Sequence, residues 1–401
     1  MFPDVSTREK PRVLVVSFIA SGGMCHVACG LARALSSQTP AGLVLWRSKG
    51  EGHEIAFDFP VFFVRRATMA WRRRLCETAN PFFLKRLTAD IVKNFTPDIV
   101  HVNWGGVWLW PFVRELRKMS VPVVVTVHDP TPHEERRPLA DRLAKAWFDG
   151  WQMPRAIGAV SAIHVHSKSH ENTVAERFGE NLRAKTYVVP HGGGAVLPHG
   201  ARSKSMPPEL AEAPPTAPSN IFTILFFGRI QPYKGLHVLC RAVRDILHDT
   251  PVRLVVAGKG PIDSEWMTWL KENAILINRF IEDEEIPTIF SACHVVVLPY
   301  LSATQSGVIP LAYHYGKPVV VTAVGALPEV VEDGKTGYIV TPGSSESLAA
   351  GIRAVMTDGA YERMGREARR YLKANISWER VAARHLERYR IVLGLGRLAR
   401  P

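Results

Sequence analysis

Apolar positions along the chain fall into two alternating patterns. Short continuous apolar runs, rich in Val and Ile, recur as "RVLVVSFIA" (12–20), "AGLVLW" (41–46), "PDIVHVNW" (97–104), "PVVVTVHD" (122–129), "AIHVHS" (162–167) and "KTYVVPHG" (185–192). Stretches with helical spacing lie between them, among them "LWPFVRELRKM" and "HENTVAERFG". Runs of this kind read as strands buried on both faces, and crossovers long enough for a helix make the sheet parallel. The grammar then breaks at 196–220, "VLPHGARSKSMPPELAEAPPTAPSN", which holds six prolines and no apolar period. It restarts with "FTILFFG", "VRLVVAG", "NAILINRFI", "VVVLPY", "PVVVTAVG" and "GYIVTP". The expected architecture is therefore α/β, with two doubly wound domains in series. Their boundaries are set at 1–200 for the first domain, 201–220 for a Pro-rich linker and 221–375 for the second. An amphipathic helix closes the chain over 376–401.

Composition narrows the class. At 401 residues the chain is long for one core, and 46% apolar with 22% charged residues is the balance of a globular enzyme. No apolar run has transmembrane length, and the start lacks a secretory pattern, so a cytoplasmic protein is expected. Five scattered cysteines without a C-x-x-C pair read as reduced core residues. The net charge of +13 favours an anionic partner. Its densest stretch, 62–87, interleaves Arg65, Arg66, Arg72, Arg73, Arg74, Lys85 and Arg86 with Phe, Trp and Leu. That mixture fits either a peripheral contact with an anionic membrane surface or the solvated face of an ordinary helix.

Candidate chemistry gathers in the second domain. In "FFGRIQPYKGLHVLCRAV", Gly228 ends a strand, Arg229 follows it, and Lys234 precedes a helix. A guanidinium, an ammonium and nearby backbone N–H groups suit a diphosphate, although a surface turn with two solvated cations has the same spacing. In "LPYLSATQSGVIPLAYHYGKPVVV", a loop of small polar residues, Ser302, Thr304, Gln305, Ser306 and Gly307, opens a second helix and offers accessible amides.

Eight segments in order resemble the family 4 glycosyltransferases over about residues 12 to 390. They are "SGG", "VTVHD", "VVPHG", "FFGRIQPYKGL", "VVAGKGP", "LPYLSATQSGV", "AYHYGKPVVVTAVGALPEVVEDGKTGYIVTPG" and "ISWERVAARHLERY". The resemblance implies a GT-B fold, two Rossmann-like domains facing across a cleft, with the last helix returning to the first. It implies that Arg229 and Lys234 hold and neutralise the diphosphate of a nucleotide-sugar, that Gly22 and Gly23 let the backbone approach the ligands, and that His128 stands near the transferred sugar. His191 is expected to organise its loop. Metal and other cofactors are not expected, the nucleotide-sugar being a co-substrate. The family's Glu-x7-Glu pair falls on Ala303 and Leu311, so this chain resembles a variant branch.

The expected function is retaining, metal-independent hexosyl-type transfer from a nucleotide-diphosphate-sugar in polysaccharide or cell-envelope glycan assembly. A glycan or lipid-linked acceptor is expected, at the inner face of the plasma membrane. Two alternatives stay open: a catalytically inactive nucleotide-sugar-binding relative, and a nucleic-acid-binding protein. For the second, pI ≈ 9.7 is the argument and the lack of any recognition signature the objection, so no nucleic-acid partner is expected.

Overall fold

The computed structural model describes residues 10–19, 23–47, 57–65, 81–104, 106–130, 147–194, 206–211 and 221–395. The chain divides into two compact units, Met1–Gly192 with Trp378–Pro401, and Gly193–Ser377.

The first unit is built on seven parallel strands: β1 Val13–Ser17, β2 Ala41–Arg47, β3 Val61–Arg65, β4 Ile99–Trp104, β5 Val123–Thr126, β6 Ala162–Val165 and β7 Thr186–Val188. Their order is β3-β2-β1-β4-β5-β6-β7. Each apolar run of the sequence becomes a strand, and β1 and β5 are buried along their whole length. Strand β3 is an addition. Four of its five residues lie at the start of the stretch read as a basic interfacial segment, where Val64 is buried and Phe62 meets Phe95 edge-on at 6.2 Å. Core packing therefore takes the first turn of that stretch; 66–80 lie outside the described residues, and Pro81–Phe95 is a helix.

The closing helix, Trp378–Val392, belongs to the first unit and packs on the helix Gly23–Ser36. Trp378 explains two glycines. A Cβ on Gly30 or on Gly192 would come within 2.4 Å of its ring.

The second unit has six parallel strands: β8 Phe222–Phe227, β9 Val252–Ala257, β10 Ala274–Ile277, β11 Val295–Leu298, β12 Val319–Thr322 and β13 Gly337–Val340. They run in the order β10-β9-β8-β11-β12-β13. Within the stretch read as a linker, Pro208–Ala211 forms a helical turn, and Glu209 bonds Arg279 with both carboxylate oxygens, at 3.0 and 3.1 Å. That turn is thereby attached to the second unit.

In each sheet the strand order reverses once, between β1 and β4 and between β8 and β11. A crevice opens at the carboxyl ends of such strands, where open parallel sheets take their ligands.

Candidate functional site

The second unit's reversal lies between β8 and β11, whose carboxyl ends lead into Gly228-Arg229 and Pro299-Tyr300. Gly228 has φ +104°, and a Cβ there would stand 3.2 Å from Lys234 Nζ. The ammonium therefore lies directly over the turn that carries Arg229. The turn is held by close backbone approaches only glycine permits: Gly235, at φ +66°, would place a Cβ 2.0 Å from the Pro299 carbonyl oxygen. Leu301 N–H donates to Tyr233 O at 2.7 Å, tying the loop after β11 to the turn after β8.

Lys234 Nζ sits 5.2 Å from the centre of the Tyr300 ring, in cation–π range. Burial draws the Lys234 pKa down, Tyr233 opposing and Arg229 adding to it. Arg229 is exposed. Among the described residues neither cation is paired with a carboxylate. Two neighbouring cations, one of them desolvated, form a place where an anion relieves repulsion.

The loop after β11 carries the other predicted residues. Ser306 Oγ accepts from Val308 N–H at 3.3 Å and lies 3.4 Å from the Tyr300 hydroxyl, which burial pushes up to about 12. Gln305 is half-buried, its Oε1 without a hydrogen-bond partner; Ser302 and Gly307 are exposed. Thr304 O accepts from Ala326 N–H at 3.0 Å, bringing in the loop after β12. Lys234, Gly228, Tyr300 and Ser306 thus form one cluster at the strand ends. Ala303 and Leu311 are half-buried against the apolar core, so the positions of the family's two glutamates are filled by packing.

Two family descriptions match the chain: "Glycosyltransferase Family 4" over residues 21–192 and "Glycosyl transferases group 1" over 221–358. The D-inositol 3-phosphate glycosyltransferase of Corynebacterium urealyticum is 31% identical over 288 residues, 62% of this chain and 67% of that protein. The chain belongs to the family 4 glycosyltransferases. Solved structures agree on the GT-B fold of this glycosyltransferase. Sucrose-phosphate synthase from Thermosynechococcus elongatus superposes with a TM-score of 0.70 at 19% identity, over 96% of this chain and 100% of that one. Anabaena HepE in complex with UDP-glucose does so with a TM-score of 0.64 at 18% identity, over 93% and 98%.

In the first unit of the glycosyltransferase, Gly22 lies outside the described residues, and Gly23 begins the helix after β1 with open space where a Cβ would go. His128 follows β5 and is buried. Its Nε2 is 3.0 Å from the Asn103 carbonyl oxygen and its Nδ1 is 2.9 Å from His166 Nε2. Both ring nitrogens are used within the protein, so the predicted sugar-side histidine has no free nitrogen for proton transfer. His191 Nδ1–H donates to the Gly192 carbonyl at 2.8 Å, as a loop organiser does.

Sequence reading missed the polar layer behind His128. His164 Nε2–H donates to Val189 O at 2.9 Å, leaving Nδ1 to accept from Thr126 Oγ1 at 2.9 Å. Thr126 in turn accepts from His101 Nε2 at 2.6 Å, and His101 Nδ1 accepts from the Tyr389 hydroxyl of the closing helix. Tyr187 OH bonds His385 Nδ1 of that helix at 3.0 Å. No helix among the described residues is long and apolar enough to cross a membrane.

Proposed function

We propose that this protein transfers a hexosyl group from a nucleoside-diphosphate sugar to an acceptor hydroxyl with retention of configuration. The observation that carries the reading is the uncompensated pair Arg229 and Lys234, set at the strand-order reversal of the second unit over Gly228. HepE, whose structure is in complex with UDP-glucose, has the same fold, which supports a nucleotide-sugar as the donor.

In this mechanism the bond between the anomeric carbon and the diphosphate oxygen breaks. Negative charge collects on the departing diphosphate, where Arg229 and Lys234 stabilise it in place of a divalent cation. Backbone amides of Ser306 and Gly307, with Thr304 and Gln305 beside them, complete the phosphate cradle. The acceptor oxygen bonds to the anomeric carbon on the face the diphosphate leaves, and its proton passes to a diphosphate oxygen. His128, neutral and held by its neighbours, packs beside the sugar without exchanging protons. Gly23, with open space where a Cβ would go, leaves room for the donor phosphates and acceptor to approach the backbone.

The acceptor is a lipid-linked glycan intermediate of the cell envelope, at an anionic membrane surface met through 62–87. Phe82, 78% exposed, and the exposed Lys85 and Arg86 on the helix Pro81–Phe95 support that contact. Cosedimentation with anionic vesicles at moderate ionic strength tests it, and indifference to such vesicles counts against it.

Transfer itself is tested by incubating the protein with radiolabelled nucleotide-sugars and lipid-linked glycans and reading the product's anomeric configuration by NMR. Retained configuration supports the reading; inversion contradicts it. Apolar packing at Ala303 and Leu311 favours a second reading, a nucleotide-sugar-binding relative without turnover. Donor binding with no transfer to any acceptor selects it.

A further inference from the structure

Among the described residues, a file of buried imidazoles in the first unit leads up to His128 and is otherwise unused by the transfer chemistry. Ring centroids are 5.0 Å apart between His101 and His385, 4.4 Å between His385 and His164, and 4.7 Å between His164 and His166. The file ends at His128, 4.8 Å from His166.

Hydrogen-bond partners fix the protons at this end. A carbonyl only accepts, so His128 Nε2, facing Asn103 O at 3.0 Å, carries hydrogen. Burial holds the ring neutral, with its pKa down to about 4; His191 adds to this, while Asp129 and the Asn103 bond oppose it. A neutral ring protonated at Nε2 has a bare Nδ1, which therefore accepts from His166 Nε2–H at 2.9 Å. The bare nitrogen of His166 is then Nδ1, and Nδ1 is the buried atom without a hydrogen-bond partner.

We propose that His166 is a positioning residue for sugar transfer: by donating Nε2–H to His128 Nδ1, it reinforces the Nε2–H tautomer that the Asn103 carbonyl selects and fixes the ring plane from the other side. The inference deepens the transfer reading and rests on His128 standing beside the sugar. It gives the last histidine of "AIHVHS" a role beyond the strand that carries it. The groups facing the pair are His164 on β6, His191 after β7, His170 on the helix Lys168–Phe178, and Asp129 and Asn103 beside His128. Of these only Asp129 is acidic. A rotated or protonated His128 would turn an N–H toward His166, with no acceptor held ready for the proton His166 then carries at Nδ1.

The test uses the full chain with 15N-labelled histidine. In the wild type, His128, assigned by signal loss in His128→Asn, should be protonated at Nε2 and bare at Nδ1 from pH 7.5 to pH 5.5. In His166→Ala the Asn103 carbonyl alone holds the ring, and a minor Nδ1–H form should become detectable beside the Nε2–H one. Transfer should then fall about tenfold, at pH 6 and pH 8 alike, because the buried ring stays neutral across that range while its plane is no longer fixed. His166→Gln, whose amide nitrogen reaches the same place, should restore both the single tautomer and the rate. An unchanged tautomer in a folded His166→Ala overturns the proposal, and so does a lost tautomer with unchanged transfer. If the wild type transfers no sugar, the transfer reading fails separately, and the tautomer in His166→Ala alone decides whether the lock exists.

Discussion

The Lys234 ammonium lies 5.2 Å from the centre of the Tyr300 ring, so the residue that ends one strand's turn supports the cation of another. Cation–π contacts that are partly desolvated are worth about 1–2 kcal/mol. Tyr300→Ala should weaken nucleoside-diphosphate binding by about tenfold, whereas Tyr300→Phe, which keeps the ring, should stay within about threefold of wild type. Titration calorimetry distinguishes them. Equal losses in the two variants would mean that the hydroxyl, through Ser306, matters more than the ring.

Gly235 and Gly334 separate two costs of a side chain. Both have positive φ, +66° and +71°, but a Cβ on Gly235 meets Pro299 O at 2.0 Å while Gly334 has nothing within 4 Å. Gly334→Ala should lose about 1 kcal/mol from backbone strain alone, and Gly235→Ala several kcal/mol together with nucleotide binding. Urea unfolding measures both.

Acid should destabilise the first unit specifically. His128 and His164 have folded pKa values lowered from 6.5 to about 4 and about 3, chiefly by burial, and His101, His166 and His385 are lowered too. Between these values and 6.5 the unfolded chain binds more protons than the folded one, so stability is full above about pH 6.5 and falls as the pH drops. At pH 5 the loss is on the order of 2 kcal/mol for each of the two histidines. Hydrogen exchange read separately on the two units should show the first opening between pH 6.5 and 5; equal protection of both at pH 5 contradicts this.

The closing helix is keyed by Trp378. Gly30→Ala and Gly192→Ala each drive a methyl to within 2.4 Å of its ring, and either should cost about 2–3 kcal/mol of first-unit stability. Trp378→Ala in the Gly30→Ala background should add much less than Trp378→Ala alone, because the two share one contact.

Much of the fold is legible because doubly wound sheets write their strands as unbroken apolar runs. Strand β3 was hidden: in the sequence its Phe62 and Phe63 are followed by Arg65 and Arg66, in a stretch whose charge density dominates a sequence reading. The cations are legible because Gly228 and Gly235 punctuate the turn around them, and the loss of the family's glutamates can be counted directly from Gly316. His166 was not legible as part of a site. Its partner lies 38 residues away, just past the end of a neighbouring strand, and the direction of the hydrogen bond depends on a carbonyl at Asn103 that no spacing rule brings near.

The central claim is that Arg229 and Lys234 hold a nucleoside diphosphate. Titration calorimetry with UDP, GDP and ADP against wild type, Arg229→Ala and Lys234→Ala measures it directly. One nucleotide should bind the wild type, and each variant should lose at least tenfold in affinity, the loss shrinking at high salt. Binding of equal strength in all three proteins, or no binding to the wild type, would contradict it.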